Sequence, residues 1–148
     1  MELAILNNEV LYIGQVQKEW LSRCPLYLTG ISAGFPLPSE EVYESSLDLH
    51  QLMVKNGEAT FLLKVQSYAM DGAGIFCEDL VVVDRSIPVQ NGHIVIVFIN
   101  NAFIIRRFIK RGRKILLQSD NNQYASIEIE DEDDFEIWGI VTFVIHKP

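Results

Sequence analysis

HIVIVFINNAFIIRRFIKRGRKILLQS, residues 93–119, contains three runs of Val, Ile, Leu and Phe separated by two short polar breaks. The first break is Asn100-Asn101, and asparagine tolerates the left-handed backbone angles that a tight hairpin turn demands. Arg111-Gly112 punctuates the second in the same way. The stretch therefore predicts an antiparallel meander of three strands, 93–100, 102–109 and 113–119.

Outward from the meander the same grammar repeats. TFLLKVQ (60–66), DLVVVD (79–84), SIEIE (126–130) and FEIWGIVTFVIH (135–146) are apolar, rich in β-branched residues and bounded by Gly, Asn, Asp or Pro. Seven strands in fewer than ninety residues predict a mainly β fold of short antiparallel strands. The last run is long, with Gly139 in its middle, which predicts a bend or bulge there. One short helix is expected over Leu47–Val54, with Ser45 and Asp48 at capping-box spacing and Leu49, Leu52 and Met53 on its buried side. The first forty-odd residues lack strong periodicity and contain Pro25, Gly30, Gly34, Pro36 and Pro38. They read as an extended arm, giving a division into an arm, 1–45, and a β-rich domain, 46–148.

At 148 residues the chain has the length of one domain, and 49% apolar with 22% charged residues is ordinary globular composition. A net charge of -8 opposes a DNA phosphate backbone, so no direct DNA binding is expected. The basic run RRFIKRGRK, 106–114, alternates with apolar residues as the solvent face of a hairpin would, and the acidic run EIEDEDDFE, 128–136, reads as a solvated loop. Cys24 and Cys77 form no CxxC pair, and His50, His93 and His146 stand singly, so neither a disulfide framework, a metal site nor a cofactor is expected. The amino terminus lacks a signal-peptide pattern and no run approaches the roughly 20 apolar residues that span a bilayer, which points to the cytoplasm and away from membranes.

Between FLLKV and LVVVD falls VQSYAMDGAG, 65–74, a break of small and polar residues. Such a break often carries a nucleophile, yet residue 69 is Ala. Taken with SAGFPLPSE, with MDGAGIFCEDLVVVDRSIPVQNGHIVIVFINNAF and with the closing IWGIVTFVIH, this turn resembles the UmuD-like and LexA-like self-cleaving proteins of the bacterial SOS response, the S24 serine peptidases. The likeness covers roughly residues 31–146 and is closer to the UmuD branch. LexA-like repressors carry a helical DNA-binding domain ahead of the cleavage site, whereas about thirty residues without a helix-turn-helix pattern precede Ala33 here.

The resemblance implies a compact LexA/UmuD-type peptidase domain that cuts its own arm after a small residue followed by Gly, and Ala33-Gly34 matches such a bond. It places the family's Ser nucleophile at Ala69, directly before Met70, and the family's Lys base at Arg106. Alanine has no nucleophile, and arginine, with a pKa above about 12, does not become a neutral base. Ser67 lies two residues early, about 7 Å along an extended chain, and Lys64 points the other way. Tyr68 is expected as a partly buried ring over the vacated cleft. Because Ser67 and Tyr68 also depart from the family pattern, natural loss of the dyad is favoured over an engineered trap.

The expectation is thus a catalytically degenerate accessory protein of SOS mutagenesis and translesion DNA synthesis, not an enzyme. It would act as a homodimer, or as a heterodimer with an active paralogue that cuts it in trans at Ala33-Gly34. The resemblance implies a UmuC-like polymerase and the RecA filament as partners. The alternatives are an active self-cleaving peptidase and a structural β-domain of unrelated role.

Overall fold

The computed structural model describes residues 8–16, 23–27, 43–130 and 135–148. Ten strands run β1 (Val10–Gln15), β2 (Arg23–Tyr27), β3 (Tyr43–Asp48), β4 (Thr60–Val65), β5 (Leu80–Asp84), β6 (Ile94–Ile99), β7 (Ala102–Arg111), β8 (Lys114–Gln118), β9 (Ile127–Ile129) and β10 (Phe135–Ile145). Eight of them form one sheet in the order β1-β4-β5-β10-β6-β7-β8-β9, and β2 pairs with β3 separately. Every pairing is antiparallel. The mainly β fold read from the sequence is the fold observed, and each of the seven expected strands is present.

The β6–β7 hairpin turns as its sequence dictates. Asn100 and Asn101 have φ of 52° and 62°, and Ile99 pairs directly with Ala102. Both strands are buried on both faces, which is why they read as continuous apolar runs rather than alternating ones. Ile96 and Ile105 face one cluster with Leu63, Val81 and Val83, whereas Val95, Val97 and Ile104 face another with Phe108, Leu117 and Ile140.

β10 lies between β5 and β6, and its register to β6 shifts between Ile137 and Gly139. A side chain at 139 would have its Cβ 2.5 Å from Val83 Cγ1 on β5, so glycine is what lets β10 approach β5 beside this bulge.

Two local expectations need correction. The helix, α1, spans Leu49–Met53, and its N-cap is Asp48, whose carboxylate accepts from the His50 and Gln51 amides at 3.0 and 3.3 Å. Ser45 lies inside β3, so no capping box forms. Nor does the helix have a fully buried side: Leu52 is 41% exposed and none of its five residues is buried, because a helix of little more than one turn makes too little contact to bury a face. The second correction concerns the chain before residue 45, where no strand was expected. Among the described residues Val10–Gln15 is one of the two end strands of the main sheet, and Arg23–Tyr27 pairs with Tyr43–Asp48.

Candidate functional site

The turn after β4 is fastened at both ends. The Val65 amide donates to the Asp79 carbonyl and the Glu78 amide to the Val65 carbonyl, at 2.8 and 2.7 Å, so residues 66–78 form a closed loop on the sheet end. Within it Asp71–Ala73 makes one 3-10 turn, ended by Gly74 at φ 82°. Glu78 takes φ 79°, an uncommon backbone angle for a residue with a side chain, where the loop rejoins the sheet.

A second loop, Ser119–Tyr124, is laced to the first. The Asp120 amide donates to the Ala69 carbonyl at 2.8 Å and the Gly72 amide to the Asp120 carbonyl at 2.9 Å. A Cβ at Gly72 would sit 2.6 Å from that carbonyl, so only glycine permits the approach. Asn121 Nδ2 donates to the Tyr68 carbonyl at 2.7 Å, and Tyr124 Oη accepts from the Tyr68 amide at 3.2 Å. Arg107 steadies this second loop through Asp120 Oδ2 at 3.0 Å.

Inside this frame Ala69 is wholly buried and its methyl belongs to the core cluster with Met70 and Ile75. Arg106 is 5% exposed on the inner face of β7, its Cζ 5.9 Å from the Tyr124 ring centroid. Tyr124 therefore links the turn to Arg106, its hydroxyl accepting from the Tyr68 amide and its ring facing the guanidinium. Ser67 is buried and its Oγ accepts from the Ala69 amide at 3.4 Å, a long bond back onto its own turn. Lys64 pairs instead with Glu78, at 3.6 Å on the surface. The basic run 106–114 is thus not one solvent face. Arg106 is turned inward, while Lys110 to Lys114 are exposed.

Glu9 is the site residue that sequence reasoning missed. Its carboxylate takes Arg106 Nη1 at 2.6 Å and Nη2 at 3.2 Å, and accepts the Ile105 amide at 3.2 Å. Its backbone bridges the sheet, donating to the Phe103 carbonyl and accepting from the Gln66 amide. Arg106 is buried and Glu9 mostly so, with side chains 6% and 13% exposed, and Arg106 Nε has no partner among the described residues. Nothing within a few residues of Glu9 marks it, because the partner is contributed by a strand almost a hundred residues later.

Tyr68 was expected partly buried; its ring is 55% exposed, pushed out because the core space under it is filled by Ala69, Met70 and Ile75. Its phenol is held above the ordinary tyrosine value of 10.0, chiefly by its electrostatic interaction with the Cys77 side chain, then by a hydrogen bond with that side chain. On the far side of the loop, buried Asp79 accepts the Phe76 amide at 2.9 Å and meets His146 Nδ1 at 2.6 Å, clasping the loop to the end of β10. The expected scissile bond, Ala33-Gly34, lies outside the described residues. Among the described residues no three His, Cys, Asp or Glu side chains converge as a metal site would require, and no helix is long and apolar enough to cross a membrane.

The family described as Peptidase S24-like matches residues 25–142. Protein MucA of Escherichia coli is 36% identical over 118 residues, covering 80% of this chain and 81% of that protein. Protein ImpA of Salmonella typhimurium is 36% identical over 124 residues, 83% of each chain. A LexA repressor, from Alteromonas mediterranea, is 32% identical over 118 residues, 79% of this chain and 56% of the repressor. These matches correct the expectation that the chain is not an enzyme. It matches a peptidase family across the turn and the strands of the site, and peptidase activity is what such a match supports.

Proposed function

The chain belongs to the Peptidase S24-like family, and from that premise we propose that it serves SOS mutagenesis and translesion DNA synthesis as a UmuD-like accessory protein. It dimerises, with itself or with a paralogue, and docks on a UmuC-like polymerase and the RecA filament in the cytoplasm. Ala69 and Arg106 stand at the positions of the family's Ser and Lys, and Ala33-Gly34, in the arm 1–45, is the bond that a dyad of this family cuts, here in trans from a paired paralogue. The observation that carries this reading is the match in order and length to proteins MucA and ImpA, over about four-fifths of both chains. Association is supported by β1, an edge strand whose Leu11, Tyr12 and Ile13 are 47%, 56% and 46% exposed.

The test is co-incubation with a self-cleaving relative, followed by amino-terminal sequencing. A fragment beginning at Gly34 that forms only in the mixture supports cutting in trans. An intact chain, under conditions where the relative cuts itself, overturns it. The chain incubated alone reports its own peptidase activity in the same experiment.

A further inference from the structure

The chain carries twelve Lys and Arg against twenty Asp and Glu, and four of the twelve lie within five residues, at Lys110, Arg111, Arg113 and Lys114. These four form the tip of the β7–β8 hairpin, closed by Gly112 at φ 61°, and the whole tip is exposed. Arg106 and Arg107, from the same basic run, are ion-paired with Glu9 and Asp120; among the described residues no carboxylate lies within 4.0 Å of the four at the tip. Arg111 and Lys114 stand directly opposite each other on one face of the ladder, where like charges repel. An anion seated between them would relieve this repulsion.

That same face continues from Arg111 and Lys114 to the next cross-strand pair, Ile109 and Leu116, and from Leu116 to Glu128 on β9. These five residues with Glu130 line a cleft of about 240 Å³. Its mouth is cationic, its floor is aliphatic and its far wall is acidic. We propose that this cleft docks an extended acidic segment of a protein partner. One carboxylate sits between Arg111 and Lys114, and an apolar side chain two residues along, on the same face of the extended segment, rests on Ile109 and Leu116. Charge complementarity selects the carboxylate, and the aliphatic floor selects a peptide over a nucleic acid strand. Among the described residues no aromatic ring lines the cleft for a base to stack on, and Glu128 and Glu130 repel a continuous row of phosphates.

The full chain titrated with a fluorescein-labelled twelve-residue peptide repeating Glu-Ser-Leu-Ser, which sets Glu and Leu two residues apart on one face, at low and at physiological salt, provides the test. We expect saturable binding that weakens with salt and falls at least tenfold in Arg111→Glu/Lys114→Glu, whose exposed positions leave the thermal melt unchanged. Lys110→Glu, a reversal on the opposite face of β7, should stay within threefold of the parent, and the same peptide with Ser in place of Leu, its charge unchanged, should bind more weakly. No binding, equal loss in Lys110→Glu, indifference to Leu, or tighter binding of a twelve-residue oligothymidylate would each overturn the assignment.

Discussion

Arg106 and Glu9, ninety-seven residues apart in sequence, meet at 2.6 Å in an ion pair whose two ends both reach the turn after β4. Glu9 reaches it through its carbonyl to the Gln66 amide, and Arg106 through the Tyr124 ring whose hydroxyl takes the Tyr68 amide. The pair is largely buried, and removing one member of such a pair leaves an uncompensated charge in a poorly solvated place. Glu9→Ala should therefore destabilise the fold by about 3–5 kcal/mol in urea denaturation. Replacing both, Glu9→Leu with Arg106→Met, should recover most of that loss, since the desolvation of two charges disappears together. Equal losses in the single and double variants would show that the contact is something other than a charge pair.

Gly139 sits at the β10 bulge with Val83 Cγ1 2.5 Å and Arg85 Cγ 3.3 Å from where a Cβ would lie. Gly139→Ala cannot be accommodated by a rotamer change alone, because Val83 is wholly buried between β4 and β10. Overpacking of this kind costs about 1–3 kcal/mol. The variant should melt several degrees lower by circular dichroism; an unchanged melting temperature would mean that β10 can slide at the bulge.

The seven strands from residue 60 onward were legible because each carries its own local signal, a β-branched run with a turn residue at its end, and Asn100-Asn101 even fixed the hairpin register. Strand β1 was not, since VLYIG is apolar on successive residues and its partner, β4, is fifty residues away. The positions of Ala69 and Arg106 came from the family pattern. Their surroundings, Glu9, Asp120 and Tyr124, did not, because ion pairs and loop-to-loop hydrogen bonds at long sequence separation leave no periodic trace. The alternation in RRFIKRGRK correctly signalled a hairpin but not which cation turns inward, a choice that depends on where Glu9 arrives.

The exposed Tyr68 phenol titrates above 10.0, with Cys77 the largest cause. Cys77→Ser removes the sulfur and should bring the phenol down toward the ordinary tyrosine value, read as a shift of one tyrosine in the ultraviolet absorbance titration. The sign for stability follows from the same direction. A folded-state pKa raised above the unfolded one means that any contribution is fully present below about pH 10 and is lost as pH rises through the folded value. An identical titration in Cys77→Ser would rule out Cys77 as the cause.

Placing Ser and Lys at 69 and 106, the positions proposed for the family's dyad, tests that assignment directly. Ala69→Ser with Arg106→Lys should raise the rate of cutting at Ala33-Gly34 above that of the chain as it stands, with each single change well below the double, since the hydroxyl needs a neighbouring base to take its proton. The base must be neutral, so the rate of the double variant should climb with pH as the lysine at 106 gives up its proton. Glu9 opposes this, because a carboxylate in ion-pair distance favours the charged lysine. Adding Glu9→Gln to the double variant should therefore move the rise in rate to lower pH. A rise at the same pH with and without Glu9 would show that β1 withdraws from residue 106 before cutting; no gain in the double variant at any pH would place the dyad elsewhere.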